Sequence, residues 1–516
     1  MELLQNFPVP LTAIPGAVPA WHATVTEHEL LPVCARVRDD GGRLVALWGT
    51  DERRRGGGFA LHVALADQPG LICLTLPIDQ PAPAYPAIDA LFPAANRMQR
   101  ALYDLLGVRA EGAADQRPWL RHGAWPEQVF PLRKDVAADA HYAAGQDDYP
   151  FVPVSGSGVH EIPVGPVHAG TIEPGHFRFS VVGERVLRLE QRLGYTHKGI
   201  EKLAEGMTIA AAAKLAGRVS GDSTVAYAWA YAMAVEGIAG TTPPPRALWL
   251  RALWLECERI ANHLGDLGYL GNDVALSFGF SQFWRLKEQW LRTQQALFGH
   301  RYLMDCIVPG GVRGDLDAAG VSRLLQEADA LAPQVRQLQD IYHEHAGVQD
   351  RFLTTGRVAP ELAAQLGLSG MAGRASALAW DLRAQYPLPP YDELEVRMAT
   401  QRNGDVAARV AVRFDEIQES LRLIRLILQR LPQGATLQQL PPLPDGGFGV
   451  GWVEGWRGEV LVALHTGPDG SIHRLHPHDP SWQNWPLLEH AIIGNIVPDF
   501  PIINKSFNLS YSGQDL

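Results

Sequence analysis

Cysteine is scarce. The 516 residues hold four, Cys34, Cys73, Cys257 and Cys306, too scattered for a disulfide framework or a cysteine-built metal site. Long apolar runs are missing as well. The longest, Thr224 to Val235, lies between Asp222 and Glu236 and falls short of the ~20 residues that a membrane-spanning helix needs, so the chain is not expected to cross a bilayer itself. No basic stripe exceeds Arg53-Arg54-Arg55, and 45 Lys+Arg against 56 Asp+Glu leave a formal net charge of -11. A phosphate-tracking nucleic-acid surface is excluded on that ground. The start, Met1 to Pro8, lacks a positive segment followed by an apolar one, which makes the cytoplasm the expected compartment.

What is present is enough apolar material, 46% of the chain, for two to four domains with real cores. Arg43–Trp48, Phe59–Leu65 and Gly70–Leu76 are β-prone runs separated by turn residues, and they predict an antiparallel meander. The Arg55-Gly56-Gly57-Gly58 turn lacks the strand–loop–helix spacing of a phosphate cradle and is expected to be a plain hairpin. Asn96 is placed to cap a helix carrying Met98, Leu102, Leu105 and Leu106, with Gly107 placed to end it. Residues 137–158 are small, polar and aperiodic, as in a linker. Beyond them Pro166–Val182 suggests paired strands. Ala247–Leu267, Ser281–Phe298, Val321–Glu344 and Asp405–Leu431 show helical periodicity, the first as an amphipathic core helix. Phe448–Leu516 returns to β-prone runs, Glu459–Leu464 and Ile472–Leu475, before a Gly/Asn/Ser-rich tail. The expected fold is α+β: an α+β domain over 1–136, a linker over 137–158, and a helical bundle with flanking strands over 159–516.

Longer strings carry more specific information. The chain runs Gly165-Pro166-Val167-His168-Ala169-Gly170, then Glu173-Pro174-Gly175-His176-Phe177-Arg178, then Gly194-Tyr195-Thr196-His197-Lys198-Gly199. Later come Arg218-Val219-Ser220-Gly221-Asp222-Ser223, Glu258-Arg259-Ile260-Ala261-Asn262-His263, Gly404-Asp405-Val406 and Asn495-Ile496-Val497-Pro498-Asp499. This order resembles the large subunit of complex I-related, group 4 nickel–iron hydrogenases of the hydrogenase-4 component G type, and the homologous D-type subunit of NADH-quinone oxidoreductase. Leu91-Phe92-Pro93, Tyr103-Asp104-Leu105 and Phe130-Pro131-Leu132-Arg133 resemble the C-type subunit of the same oxidoreductase, so the whole resembles a C/D fusion. Gln99 and Ala101 stand where that family carries acidic residues.

The resemblance also marks where this chain departs. Relatives that carry the metals hold them with four thiolates from two segments; here those segments read Ser220-Gly221-Asp222-Ser223 and Ser510-Tyr511-Ser512-Gly513. Hydroxyls do not replace soft thiolates at neutral pH, so no metal and no bound cofactor are expected on this chain. In the D-type relatives the equivalent space belongs to a quinone chamber contacted by a histidine and a tyrosine. The resemblance therefore implies a vacated metal or quinone cavity lined by His168, Arg218, Ser220, Ser223, Arg374, Ser510, Tyr511 and Gly513. It implies Glu173, His176, Asp222 and Asp405 as the catalytic, proton-relaying groups. It further implies an iron–sulfur cluster on a small partner resembling the B-type subunit of complex I, membrane partners of antiporter-like and complex I H-like type, and NAD bound elsewhere in the complex. The site would then be peripheral, on the cytoplasmic side of the inner membrane, in an oxidoreductase coupling electron transfer to quinone with ion translocation. A non-catalytic scaffold is the alternative reading, and a true hydrogenase the less favoured one.

Other clusters have plainer readings. Glu256, Arg259 and His263 share one helix face, as a structural charge network does. His343-Glu344-His345 alternates faces and suits a solvated surface. Tyr227, Trp229 and Tyr231 are read as core, and His473, His476 and His478 as facing water among turn residues.

Overall fold

The computed structural model describes residues 7–79, 81–169 and 172–516; Gly170 of the first motif and Met1 to Asn6 lie outside them. The predicted meander is there: strands β1 (Arg43–Asp51), β2 (Phe59–Asp67) and β3 (Gly70–Ile78) pair antiparallel in sequence. A further strand, Ala20–Thr24, adds to β3 in parallel. Its residues, Ala-Trp-His-Ala-Thr, carry too little alternation to announce it. Arg53–Arg55 forms one 3-10 turn that closes on Gly56 at φ +83°, a hairpin as expected. Helix α1 (Ala95–Leu106) ends at Gly107, φ +73°, but begins after Ala94, so Asn96 lies inside the first turn rather than capping it. Buried Gln99 accepts the Ile88 N–H at 2.8 Å, a local role in place of the family's acid. Residues 137–158 form no helix or strand and lie mostly exposed.

Strands β4 (Val159–Val164), β5 (His176–Val182) and β6 (Arg185–Arg192) form an antiparallel sheet in the order β6-β5-β4. Only the last 7 residues of the run over Pro166–Val182 are strand. Pro166 and Pro174 cannot donate to a ladder and Gly165 sits at φ +87°, so the segment before His176 is a loop instead. The helical region holds α2 (Thr224–Ala239), α3 (Pro245–Asp273), α4 (Ser277–Phe298), α5 (Ala318–Glu344) and α6 (Val406–Arg430). Helix α3 corrects the amphipathic expectation: Arg251, Glu256, Glu258, Arg259, His263 and Asp266 are all buried with its apolar residues. Its polar side chains face other elements, not water. The predicted charge network is among them: His263 Nε2 and Glu416 Oε2 lie 2.8 Å apart, and Arg383 pairs with Glu256 at 3.1 Å.

Strands β7 (Phe448–Glu454), β8 (Glu459–Thr466) and β9 (Ile472–His478) form an antiparallel sheet against α2. His476 and His478 are buried on β9, against the expectation that they face water, because the N-terminal sheet covers this part of the strand; His473 is only partly buried, bonding Glu52 at 3.1 Å at the edge of an open groove. The tail is equally ordered. Helices α7 (Ser481–Ala491), α8 (Phe500–Phe507) and α9 (Tyr511–Asp515) pack inward, and Asp515 is 0% exposed. His343 to His345 are exposed as read. Among the described residues, no helix is long and apolar enough to cross a membrane.

Candidate functional site

The two segments expected to correspond to the relatives' thiolate strings meet head-on. Ser220, before α2, and Ser510, which caps α9 by accepting the Gly513 N–H at 2.9 Å, place their hydroxyl oxygens 3.0 Å apart. Both are buried. Ser220 also donates to Asp222 at 2.8 Å, and Arg457 clamps Asp222 in a bidentate pair at 2.8 and 2.6 Å. Burial pushes the Asp222 carboxyl up, but the Arg457 charge outweighs it and holds the group down, at about 2. Arg457 reaches Ser223 Oγ as well, at 3.3 Å. The serines are thus cross-linked by hydrogen bonds, where an open chamber between the two segments was expected.

Asp479 supplies the floor. Its carboxylate accepts the Tyr227 hydroxyl at 2.7 Å and the Ser481 N–H at 2.8 Å. A Cβ built on Gly513 would stand 2.4 Å from Asp479 Oδ2, so a side chain at 513 would displace this carboxylate. Beneath Asp222, Glu258 accepts the Val225 N–H at 2.7 Å at the start of α2. Burial raises its carboxyl to about 8 despite those backbone donors.

The loop before β5 closes the other side. Glu173 is exposed and accepts the Ser512 N–H at 3.2 Å; His168 Nε2 stands 3.4 Å from the Tyr511 hydroxyl. Tyr511 is buried against Trp485, with ring centroids 4.7 Å apart. Asp515 accepts from Gly194 N, Thr196 N and the Thr196 hydroxyl at 2.9, 2.9 and 2.7 Å, and burial lifts its carboxyl to about 7.

Of the residues singled out from the sequence, the structure gathers Ser220, Ser223, Asp222, Ser510, Tyr511, Gly513, Glu173 and His168. Four others are engaged elsewhere. Arg218 turns outward to Asp305, at 2.7 Å, its side chain 41% exposed. His176 starts β5 and lies near Gly165 O at 3.4 Å. Arg374 is buried between Glu416 and Glu454, at 2.6 and 2.8 Å. Asp405 caps α6, accepting from Ala408 N and Thr354 N at 2.8 and 2.9 Å. Helix capping and charge neutralisation account for the last two.

Sequence reasoning missed Arg457 and Asp479. The Asp479-Pro480-Ser481 string is itself a helix-start signature, whereas Arg457 sits in a Gly455–Gly458 turn with no local signal of its role.

A nickel–iron centre does not fit these residues. The donors are hydroxyls where thiolates are needed, position 513 offers no side chain, and Asp479 fills the space beside it. The four thiols are buried elsewhere, and burial pushes Cys34 and Cys73 up to about 12. Among the described residues, no three or more His, Cys, Asp or Glu side chains group as a metal site.

Comparisons with known proteins give the family of the chain. Residues 273–445 match the family model of the respiratory-chain NADH dehydrogenase 49 Kd subunit, and residues 23–142 that of its 30 Kd subunit. Formate hydrogenlyase subunit 5 of Escherichia coli is 32% identical over 92% of this chain and 85% of its own length. Hydrogenase-4 component G of the same organism is 31% identical over 92% and 84%. The C/D subunit of NADH-quinone oxidoreductase from Bacteroides thetaiotaomicron is 27% identical over 82% and 84%. Among solved structures, a chain of the membrane-bound sulfane sulfur reductase, an archaeal respiratory membrane complex, aligns with a TM-score of 0.66 at 25% identity, covering 71% of this chain and all of its own.

Proposed function

Because this chain belongs to the family that joins complex I-related hydrogenase large subunits with the C/D fusions of NADH-quinone oxidoreductase, we propose that it serves in a membrane-associated oxidoreductase as a metal-free member that receives a quinone head group and couples electron transfer to ion translocation. The observation that carries the reading is the pairing of His168 Nε2 with the Tyr511 hydroxyl, at 3.4 Å, beside a serine–aspartate cluster standing where relatives place thiolates. His168 Nδ1–H donates to the Pro166 carbonyl at 3.1 Å, so its Nε2 accepts and the Tyr511 phenol is the donor that one quinone oxygen would take over. Glu173, one residue beyond Tyr511 through the Ser512 N–H and exposed to solvent, supplies a carboxylate for the protons that quinol formation consumes. The electrons come from a small iron–sulfur partner, and membrane partners of antiporter-like and complex I H-like type carry the ions. The chain binds that assembly peripherally. The domain scheme of 1–136, a linker over 137–158 and 159–516 belongs to the same proposal, the first domain docking the second through pairs such as Arg97–Glu489.

Quinone-reductase turnover of the purified complex tests this. Tyr511→Phe and His168→Ala are each expected to raise the KM for quinone about tenfold or more with the set of assembled chains unchanged. Unchanged KM values in both would sink the quinone reading, and an intact complex with no redox turnover would favour a scaffold. Stoichiometric nickel, or hydrogen uptake with a viologen acceptor, would overturn the metal-free assignment.

A further inference from the structure

Helix α1 and the short strand Arg109–Glu111 flank a cavity of about 200 Å³ that the site above does not use. Gln99, Arg100 and Tyr103 line it from α1, Arg109 from the strand, and Asp115 and Glu127 from the chain beyond. Gln99 is 2% exposed. Its Oε1 accepts the Ile88 N–H at 2.8 Å, which fixes the amide, and its buried Nε2 has no hydrogen-bond partner. Gln99 and Tyr103 lie four residues apart and share one face of the helix. Arg109 stands over the Tyr103 ring, 5.2 Å from its centroid, and donates to the Tyr103 hydroxyl at 3.2 Å. Among the described residues, no carboxylate pairs with Arg109.

The two carboxylates of the lining are both neutralised by other arginines. Asp115 takes a bidentate pair from Arg117 at 2.9 and 2.6 Å and a further contact from Arg100 at 3.1 Å. Glu127, its side chain 78% exposed, pairs with Arg121 at 3.3 Å. Arg100 is fully engaged as well, since its Nε donates to the Arg117 carbonyl and its Nη2 to the Tyr149 hydroxyl, each at 2.7 Å. What remains in the cavity is a set of donors without acceptors: the Gln99 amide, the Arg109 guanidinium and the Tyr103 O–H, whose oxygen already accepts from Arg109. One of the three carries a charge.

We propose that this cavity binds a short-chain carboxylate, with the Arg109 guanidinium, the Gln99 amide and the Tyr103 hydroxyl as its donors, a function apart from the quinone reading and independent of it. A carboxylate supplies what the lining lacks, two acceptor oxygens and a single negative charge. A phosphate dianion fits less well, because it faces Asp115 and Glu127 with one unpaired cation to offset it. The volume lies below the ~300–1,000 Å³ of pockets for drug-sized ligands, and Ala110 and Ala113 leave room for a short apolar chain beside the Tyr103 ring. Gln99 also sets the sign of the ligand. A glutamate at this position keeps an acceptor for the Ile88 N–H but replaces the free donor with a second acceptor, whose charge repels a carboxylate.

The test is ligand-observed saturation-transfer NMR of the full chain titrated with acetate and with butyrate, and with butyramide as the neutral molecule of the same shape as butyrate. Butyrate is expected to bind saturably in the millimolar range, and butyramide to bind about tenfold more weakly or less. Two substitutions locate the site. Arg109 is exposed, so Arg109→Gln removes the charge with little change in packing, whereas Gln99→Glu keeps the Ile88 contact and adds an opposing charge. Each is expected to weaken butyrate about tenfold or more with the near-ultraviolet circular dichroism unchanged. The proposal is overturned if neither acetate nor butyrate saturates, if butyramide binds as well as butyrate, or if either variant, folded, binds butyrate as the parent does. The comparison of butyrate with butyramide needs no variant, so a Gln99→Glu chain that fails to fold does not shelter the proposal.

Discussion

Glu258 shows what one carboxyl contributes when the fold removes its water. Its folded value of about 8 lies above the ~4.3 of a solvated glutamate, so in the window between them the folded chain holds a proton that the unfolded chain has released. The stability tied to this group is full below about pH 4 and is lost as pH rises toward 8, at about 1.4 kcal/mol per pH unit. Glu258→Gln keeps an acceptor for the Val225 N–H and removes the titration. Urea midpoints at pH 5 and pH 8 are expected to lie closer together in this variant than in the parent; an equal separation would show that Glu258 does not titrate there. The serines at 220, 223 and 510 raise a related point. Their places in two short motif strings were legible in the sequence, but their mutual contact was not. Two hydroxyls 290 positions apart in sequence are brought within 3.0 Å by the packing of α9 beside the start of α2.

Helices and strands were legible where period and turn chemistry agreed. The β1–β3 meander and the four long helices follow their apolar patterns closely. Helix α3 marks the limit of that reasoning, since the apolar stripe identified the helix but not the burial of its charged face, which α6 and β7 impose through Glu416 and the Glu454 and Gly455 carbonyls. Close approach of α2 to β7 is another property of elements rather than residues. A Cβ on Gly451 would stand 1.8 Å from the Ala230 carbonyl oxygen, a backbone atom that cannot rotate aside. Gly451→Ala is therefore expected to cost about 3 kcal/mol, at the upper end of overpacking penalties, with the loss read as a lower urea midpoint. A change below about 0.5 kcal/mol would mean that helix and sheet slide apart easily.

Across the whole molecule, the seam between residues 1–136 and the rest of the chain is sewn with ion pairs that are buried or half-buried. Glu489 accepts both Arg97 Nη2 at 2.7 Å and Gln191 N at 2.9 Å, Arg43 pairs with Glu459, and Lys134 meets Glu205 at 2.9 Å. Removing one partner leaves the other charge buried, which costs more than the pair contributes. Glu489→Ala is expected to lower stability by about 3 kcal/mol, with near-ultraviolet circular dichroism of the aromatic seam and far-ultraviolet signals lost together on urea unfolding. Two separate transitions would show that the halves fold independently. The sequence by itself determined the family, the order of elements and the absence of thiolates at the two motif segments, because these depend on residue identity and short spacing. Only the tertiary structure decided that the serines close on one another and that Arg218, His176, Arg374 and Asp405 serve elsewhere. Those outcomes depend on which side chains distant segments bring within hydrogen-bond reach, and local pattern carries no record of that.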